Sequence, residues 1–286
     1  MLIIVCLLSM LFLISLQHRN QCRCFVYVQM ALKSDPENED ALYQCSLVHQ
    51  DLGNYLEAVK ILKYLENSPE YAEDVFQEIA YCYHYLEEPT KAVKYYKLAI
   101  NESPYDQNLW LNLGLMQFQK GLFYQAIESY DMAIVIEEEF FLAYYNKGNA
   151  NIALGNTEKA IEDYLMSIKL KSDDYDSHKN LAKAYKDIND LENSYKVYKK
   201  MINLNSYDPS GYSGLGAISI LIGKLTDAEK NISKSLELDP KNDDARQNLS
   251  ICYLRLGKLE QGVDFSQKHV GAIKFTSTSS PTDLPL

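Results

Sequence analysis

Residues suited to chemistry are few and scattered in this chain. His18, Cys22 and Cys24 could be metal ligands, yet their spacing fits no standard zinc pattern and a fourth ligand is missing. They read instead as small buried cysteines beside a stray histidine. Cys45, Cys82 and Cys252 sit at helical phases far apart in sequence and read as reduced core thiols. Gly214-Leu215-Gly216 opens a GxGxxG-like string, but Ser219 stands where the last glycine belongs, and packing is the better reading. HExxH, GxxxxGKS/T and a complete GxSxG are absent. The chain is therefore read as non-enzymatic, without cofactor or metal. One charged group remains. Lys179, Lys183 and Lys186 are separated by four and three residues, so they lie along one helical stripe. They would form a positive island able to hold an acidic segment; the alternative is a solvated face, as charge runs usually are.

Composition limits the classes open to this surface. Of 286 residues, 47% are apolar and 23% charged, which suits a fold with a real core. Wholesale disorder, a collagen-like chain and a multi-span membrane protein are excluded. With 28 basic against 39 acidic residues the formal charge is −11, which argues against nucleic acid held by phosphate neutralisation. Six cysteines without framework spacing do not make a disulfide scaffold.

The elements that must position these residues announce themselves by period. Gly53, Gly121, Gly155, Gly223 and Gly257 are separated by 68, 34, 68 and 34 residues. Ala58, Ala92, Ala126, Ala160 and Ala228 follow each slot at a constant offset of five. Pro36, Pro104 and Pro240 keep the same register. Cutting at that period gives seven units without an insertion: 39–72, 73–106, 107–140, 141–174, 175–208, 209–242 and 243–276. Position 8 of each is small (Ser46, Ala80, Gly114, Gly148, Ala182, Gly216, Ser250), and so is position 20. Position 24 is mostly aromatic (Tyr96, Tyr130, Tyr164, Tyr198). Trp110, Leu113 and Gly114 share one helical face, and Ala126, Ile127, Tyr130, Ala133 and Ile134 share another. Each unit is expected to be a helix pair, its glycine ending the first helix in a left-handed conformation. Small residues let the two backbones approach, and the aromatic fills the gap.

The pattern resembles the tetratricopeptide repeat (TPR) family, whose small and aromatic slots are met by Trp110, Leu113, Gly114, Ala126, Tyr130 and Ala133. Asn146-Lys147-Gly148-Asn149-Ala150 with Leu154-Gly155 is similar to units of long bacterial TPR arrays. The resemblance covers residues 39–276 and implies an all-α, right-handed α-solenoid of 34-residue helix-turn-helix repeats. Departures are His178 and Arg246 at the bulky position 4, Lys147 at position 7, and Glu138 and Ser172 where proline is usual. It further implies a concave groove lined by the first helices at positions 2, 5, 9 and 12. There an apolar and aromatic stretch (Tyr81, Leu111, Leu115, Phe118, Tyr145, Ile152), with His84 among the same slots, leads to Lys179, Lys183 and Lys186, next to Asn146 and Asn149. An apolar stripe flanked by cations suits an amphipathic or extended peptide ending in acidic groups. Chaperone-binding members hold a C-terminal carboxylate with Lys and Asn; Lys179 and Asn149 match those types, though the unit order differs and no Arg joins them.

At the ends the period weakens. Residues 22–38 read as the second helix of an earlier unit, with Cys24, Val28, Ala31 and Pro36 in phase. Before them, Met1–Leu16 has 14 apolar residues interrupted by Ser9 and Ser15. Segment 1–21 is open to four readings: membrane anchor, signal sequence, helix covering the first repeat, or a leader foreign to the array. If it inserts, Arg19 and Arg23 leave the repeats cytoplasmic; otherwise the chain is expected in the cytoplasm, with no membrane contact. Unit 243–276 has a more polar second helix, as a cap requires, and 277–286 is expected to be disordered. The function expected is a scaffold holding a peptide or helix of a partner protein. The alternatives are a membrane-anchored assembly or secretion factor, and the recognition subunit of an enzyme complex.

Overall fold

The computed structural model describes residues 28, 30–68 and 71–269. Segment 1–21, with His18, and Cys22, Cys24 and the 277–286 tail lie outside them. The described residues form helices and turns without a strand. Residues 30–34 are helical, and fourteen helices follow from Glu39. They are α1 (Glu39–Asp51), α2 (Tyr55–Tyr64), α3 (Ala72–Tyr85), α4 (Pro89–Glu102), α5 (Gln107–Gln119), α6 (Phe123–Ile136) and α7 (Phe141–Ala153). Then come α8 (Thr157–Leu170), α9 (Tyr175–Asp187), α10 (Leu191–Leu204), α11 (Pro209–Leu221), α12 (Leu225–Leu238), α13 (Asp243–Arg255) and α14 (Leu259–His269). No helix among the described residues is long and apolar enough to cross a membrane. The fold is an all-α solenoid of helix pairs, and the chain divides into two compact units, Met1–Ala150 and Asn151–Leu286.

Within each pair the turn is built by one residue in the left-handed region. Gly53, Gly121, Gly155, Gly223 and Gly257 have φ between 73 and 78°. At Gly121 its own N–H reaches the Phe118 carbonyl and the next N–H, of Leu122, reaches Gln117, both at 2.9 Å. Two terminal carbonyls are thereby satisfied. Where the period lacks a glycine, Glu87 (φ 55°) and Asn189 (φ 61°) adopt the same conformation.

A second periodic device starts the first helices. Asn38, Asp106, Asp174, Asp208 and Asn242 each accept a backbone N–H through the side chain, at 2.7–2.9 Å. They occupy position 34 of the period, where an Asn or Asp cap satisfies one of the orphan donors. Pro89 and Pro209 open α4 and α11 in the first turn, where a missing N–H costs nothing.

The pair contact is buried and tight. Ala58, Ala92, Ala126, Ala160 and Ala228 are fully buried, as are Leu62, Tyr130 and Ile232 at position 24. A Cβ built on Gly114 would lie 2.4 Å from the Tyr130 ring, and one on Gly216 2.3 Å from Ile232. Glycine at position 8 is thus the volume complement of the large residue at position 24. His178, the departure at position 4, is buried with its Nδ1 2.8 Å from the Asp174 carbonyl. Lys147 pairs with Asp131 at 2.7 Å. The three described cysteines, Cys45, Cys82 and Cys252, are buried free thiols.

Candidate functional site

Each unit contains a cleft formed by three successive first helices. In the second unit a cavity of about 500 Å³ lies between α9, α11 and α13. Lys179, Lys183 and Lys186 line one wall; Ser213, Gly214 and Ala217 form the middle, and Gln247 and Asn248 the far side. The middle is open because its residues are small. A Cβ on Gly214 would meet the Tyr198 ring at 2.1 Å, so glycine there lets that ring come up beside the cavity it lines. Lys183 and Lys186 are exposed and Lys179 is half-buried.

The cavity is not purely cationic. Asp244 also lines it, and Asp208 lies close enough to Lys179 to feel its charge. Burial pushes the Asp208 carboxyl up. Hydrogen bonds from the Ser210 hydroxyl and N–H and from Tyr175, together with Lys179, outweigh burial and hold it below the usual range. Lys179 thus faces a nearby carboxylate, while Lys183 and Lys186 are the more exposed cations of the cavity.

The corresponding cleft of the first unit, about 510 Å³, lies between α1, α3 and α5. It presents Leu47, Gln50 and Asp51, then Gln77, Glu78 and Tyr81, then Asn112, with Tyr55 and Tyr96 alongside. Tyr81 is 4.7 Å from Tyr85 and 6.4 Å from Tyr55, and Tyr55 stacks on Tyr85 at 4.9 Å, ring centre to ring centre. Burial pushes the Glu78 carboxyl above its ordinary value; the approach of Gln50 pulls it back and the charge of Asp74 adds to the rise.

The apolar stretch selected from sequence is divided by the structure. Tyr81 faces its cleft, and His84 is half-buried with its ring stacked on Tyr85 at 5.2 Å; burial lowers its pKa. Leu111 is buried, 7% exposed, in a cluster with Ala126, Tyr130, Ala133, Ala143 and Ala150. Leu111 therefore belongs to the packing and offers little exposed apolar surface. Leu115 is half-buried against two clusters. Phe118 is half-buried, edge-on to Phe123 at 5.2 Å. Tyr145, Asn146 and Asn149 are half-buried on α7, and the Asn146 amide donates to the Leu142 carbonyl at 2.8 Å. Among the described residues no group of three His, Cys, Asp or Glu is arranged to hold a metal. Glu78, Asp51 and Asp208 escaped the sequence reading because they stand outside the groove positions of the period; Asp244 does occupy one, position 2, but the reading drew its candidates from positions 5, 9 and 12.

Family profiles described as the tetratricopeptide repeat match residues 73–106 and 175–208, 141–174, and 232–264. No curated protein sequence matches the chain. Among solved structures, the C-terminal part of a TPR repeat-containing protein from Cytophaga hutchinsonii matches with a TM-score of 0.69 and 18% identity, covering 82% of this chain and 96% of that one. YrrB, described as a TPR protein with an unusual peptide-binding site, gives 0.55 and 19% over 61% of this chain and 90% of its own. MamA from Desulfovibrio magneticus RS-1 gives 0.55 and 18% over 60% and 97%. At such identities these neighbours establish the fold. The repeat profiles, the small and large residues that interlock at positions 8, 20 and 24, and the helix-pair architecture agree: the chain belongs to the tetratricopeptide repeat family.

Proposed function

We propose that the chain is a non-enzymatic scaffold that holds an acidic peptide segment of a partner protein in the α9–α11–α13 cleft. One observation carries this reading: three lysines from a single helix face share a cavity of about 500 Å³ with Ser213, Gln247 and Asn248. Cations beside amides and a hydroxyl suit a carboxylate and the backbone that bears it. The small residues in the middle leave room for an extended segment. The peptide-binding site ascribed to YrrB supports a peptide as the class of ligand for this fold.

The test is a titration with a fluorescein-labelled nonapeptide whose last four residues are acidic, against its Gln/Asn twin. The double variant Lys183→Glu, Lys186→Glu spares Lys179, which faces Asp208. It should weaken the acidic peptide by about tenfold or more, since it turns two attractive charges beside the bound carboxylates into two repulsive ones. Its melting temperature should stay within ~1 °C, because exposed charges contribute little to folding. Equal affinity for the two proteins, both folded, would reduce the lysines to a solvated face.

A further inference from the structure

We propose that the α1–α3–α5 cleft of the first unit binds a basic side chain, arginine above all, on a segment of a partner protein. This rests on the reading that TPR clefts take partner segments, but on none of the lysines of the second unit. The two clefts use the same repeat positions with the chemistry reversed. Where the second has Lys183, Lys186, Gly214 and Ala217, the first has Leu47, Gln50, Glu78 and Tyr81.

Three features point to a cation. Glu78 is a half-buried carboxylate, and no Lys, Arg or His among the described residues pairs with it. A desolvated charge without a counter-ion is costly, and an incoming cation removes that cost. Gln50 is only 9% exposed, and its Nε2 makes no well-formed hydrogen bond although it approaches Glu78. The two ends of a carboxamide exchange by a half-turn, so Gln50 can accept from a ligand N–H as readily as it donates. The rings of Tyr55 and Tyr81 supply π faces next to both groups. A guanidinium fits better than an ammonium. It is planar, weakly hydrated, stacks on aromatic faces and offers five N–H donors, for Glu78, Asp51 and the Gln50 carbonyl.

The probe is a fluorescein-labelled nonapeptide with two arginines on a Gly/Ala background. Its control replaces both arginines by citrulline, which keeps the shape and removes the charge. Full-length protein should prefer the arginine peptide by about tenfold. Glu78→Gln, a neutral isostere at a desolvated site, should abolish most of that preference, and Tyr81→Leu should reduce it about threefold. Glu138→Gln removes the same charge from an exposed turn and should change affinity less than twofold. Equal losses in Glu78→Gln and Glu138→Gln would mean general attraction to an acidic chain and overturn the proposal. So would equal binding of the citrulline peptide. The acidic peptide, run against the same proteins, separates the two readings. If it still binds and still responds to Lys183→Glu while the arginine peptide fails, this cleft is wrong and the other stands.

Discussion

At residue 87 the repeat places a glutamate in a conformation made for glycine. Its φ of 55° brings Cβ close to backbone, at a cost of about 1–2 kcal/mol for an L-residue. Glycine would lose that penalty but add about 0.5–1 kcal/mol of unfolded-chain entropy. The first effect is larger, so Glu87→Gly should raise stability by ~0.5–1 kcal/mol, read as a shift in denaturant midpoint at constant slope. Asn189→Gly should gain less, because asparagine tolerates the left-handed region. A smaller gain at 87 than at 189 would refute the ordering. The absence of glycine from these two units left a gap in the period that residue types alone could not interpret. The backbone closes it: the N–H of Glu88 still reaches the Tyr83 carbonyl at 3.0 Å, and the turn is unchanged. The hydrogen bonds of the turn, together with packing of the pair, hold the strained residue in place.

At the scale of the helix pair, most of the architecture was legible because packing repeats with the period. Small residues at 8 and 20 and a large one at 24 describe one contact, copied along the chain. Ala126 is fully buried in it, so Ala126→Leu should overpack α6 against α5 and destabilise by ~1–3 kcal/mol. Gln119→Leu, on an exposed position, should stay within ~0.5 kcal/mol. Similar effects from the two changes would break the register. A second contact was not legible. Positions 11 and 23 meet across the pair as Gln117 with Ser129 at 2.7 Å, as Asn151 with Asp163 at 2.8 Å, as Tyr83 stacked on Tyr95 and as Tyr253 edge-on to Phe265. The contact recurs while its chemistry changes, so no residue type repeats to reveal it. The same limit explains Leu111. Its slot is one the family resemblance assigns to the groove, and here Leu111 is buried in a cluster with Tyr130 and four alanines. Each cleft is shared by three successive repeats, and Glu78 and Asp51 stand at positions 6 and 13, which the period does not mark.

At the scale of the whole molecule, the net charge of −11 acts on both kinds of ligand before either cleft does. The field of the chain reaches about a Debye length, ~30 Å at 10 mM salt and ~8 Å at 150 mM. An arginine peptide is drawn in by that field, so its association rate should fall steeply as salt rises over this range. An acidic peptide faces the reverse. It must cross a repulsive field to reach Lys183 and Lys186, whose attraction is local. Adding salt shortens the long-range repulsion first and weakens the contacts at hydrogen-bond distance much less. Its association rate should therefore rise or stay level between ~10 and ~150 mM salt, while its dissociation rate increases. Stopped-flow fluorescence with the two labelled peptides measures both rates directly. If the acidic peptide associates more slowly at higher salt, as steeply as the arginine peptide, then the lysine cleft outweighs the net charge at a distance. Its positive field would then extend well beyond the cavity, against the short reach argued from the nearby Asp208 and Asp244 carboxylates.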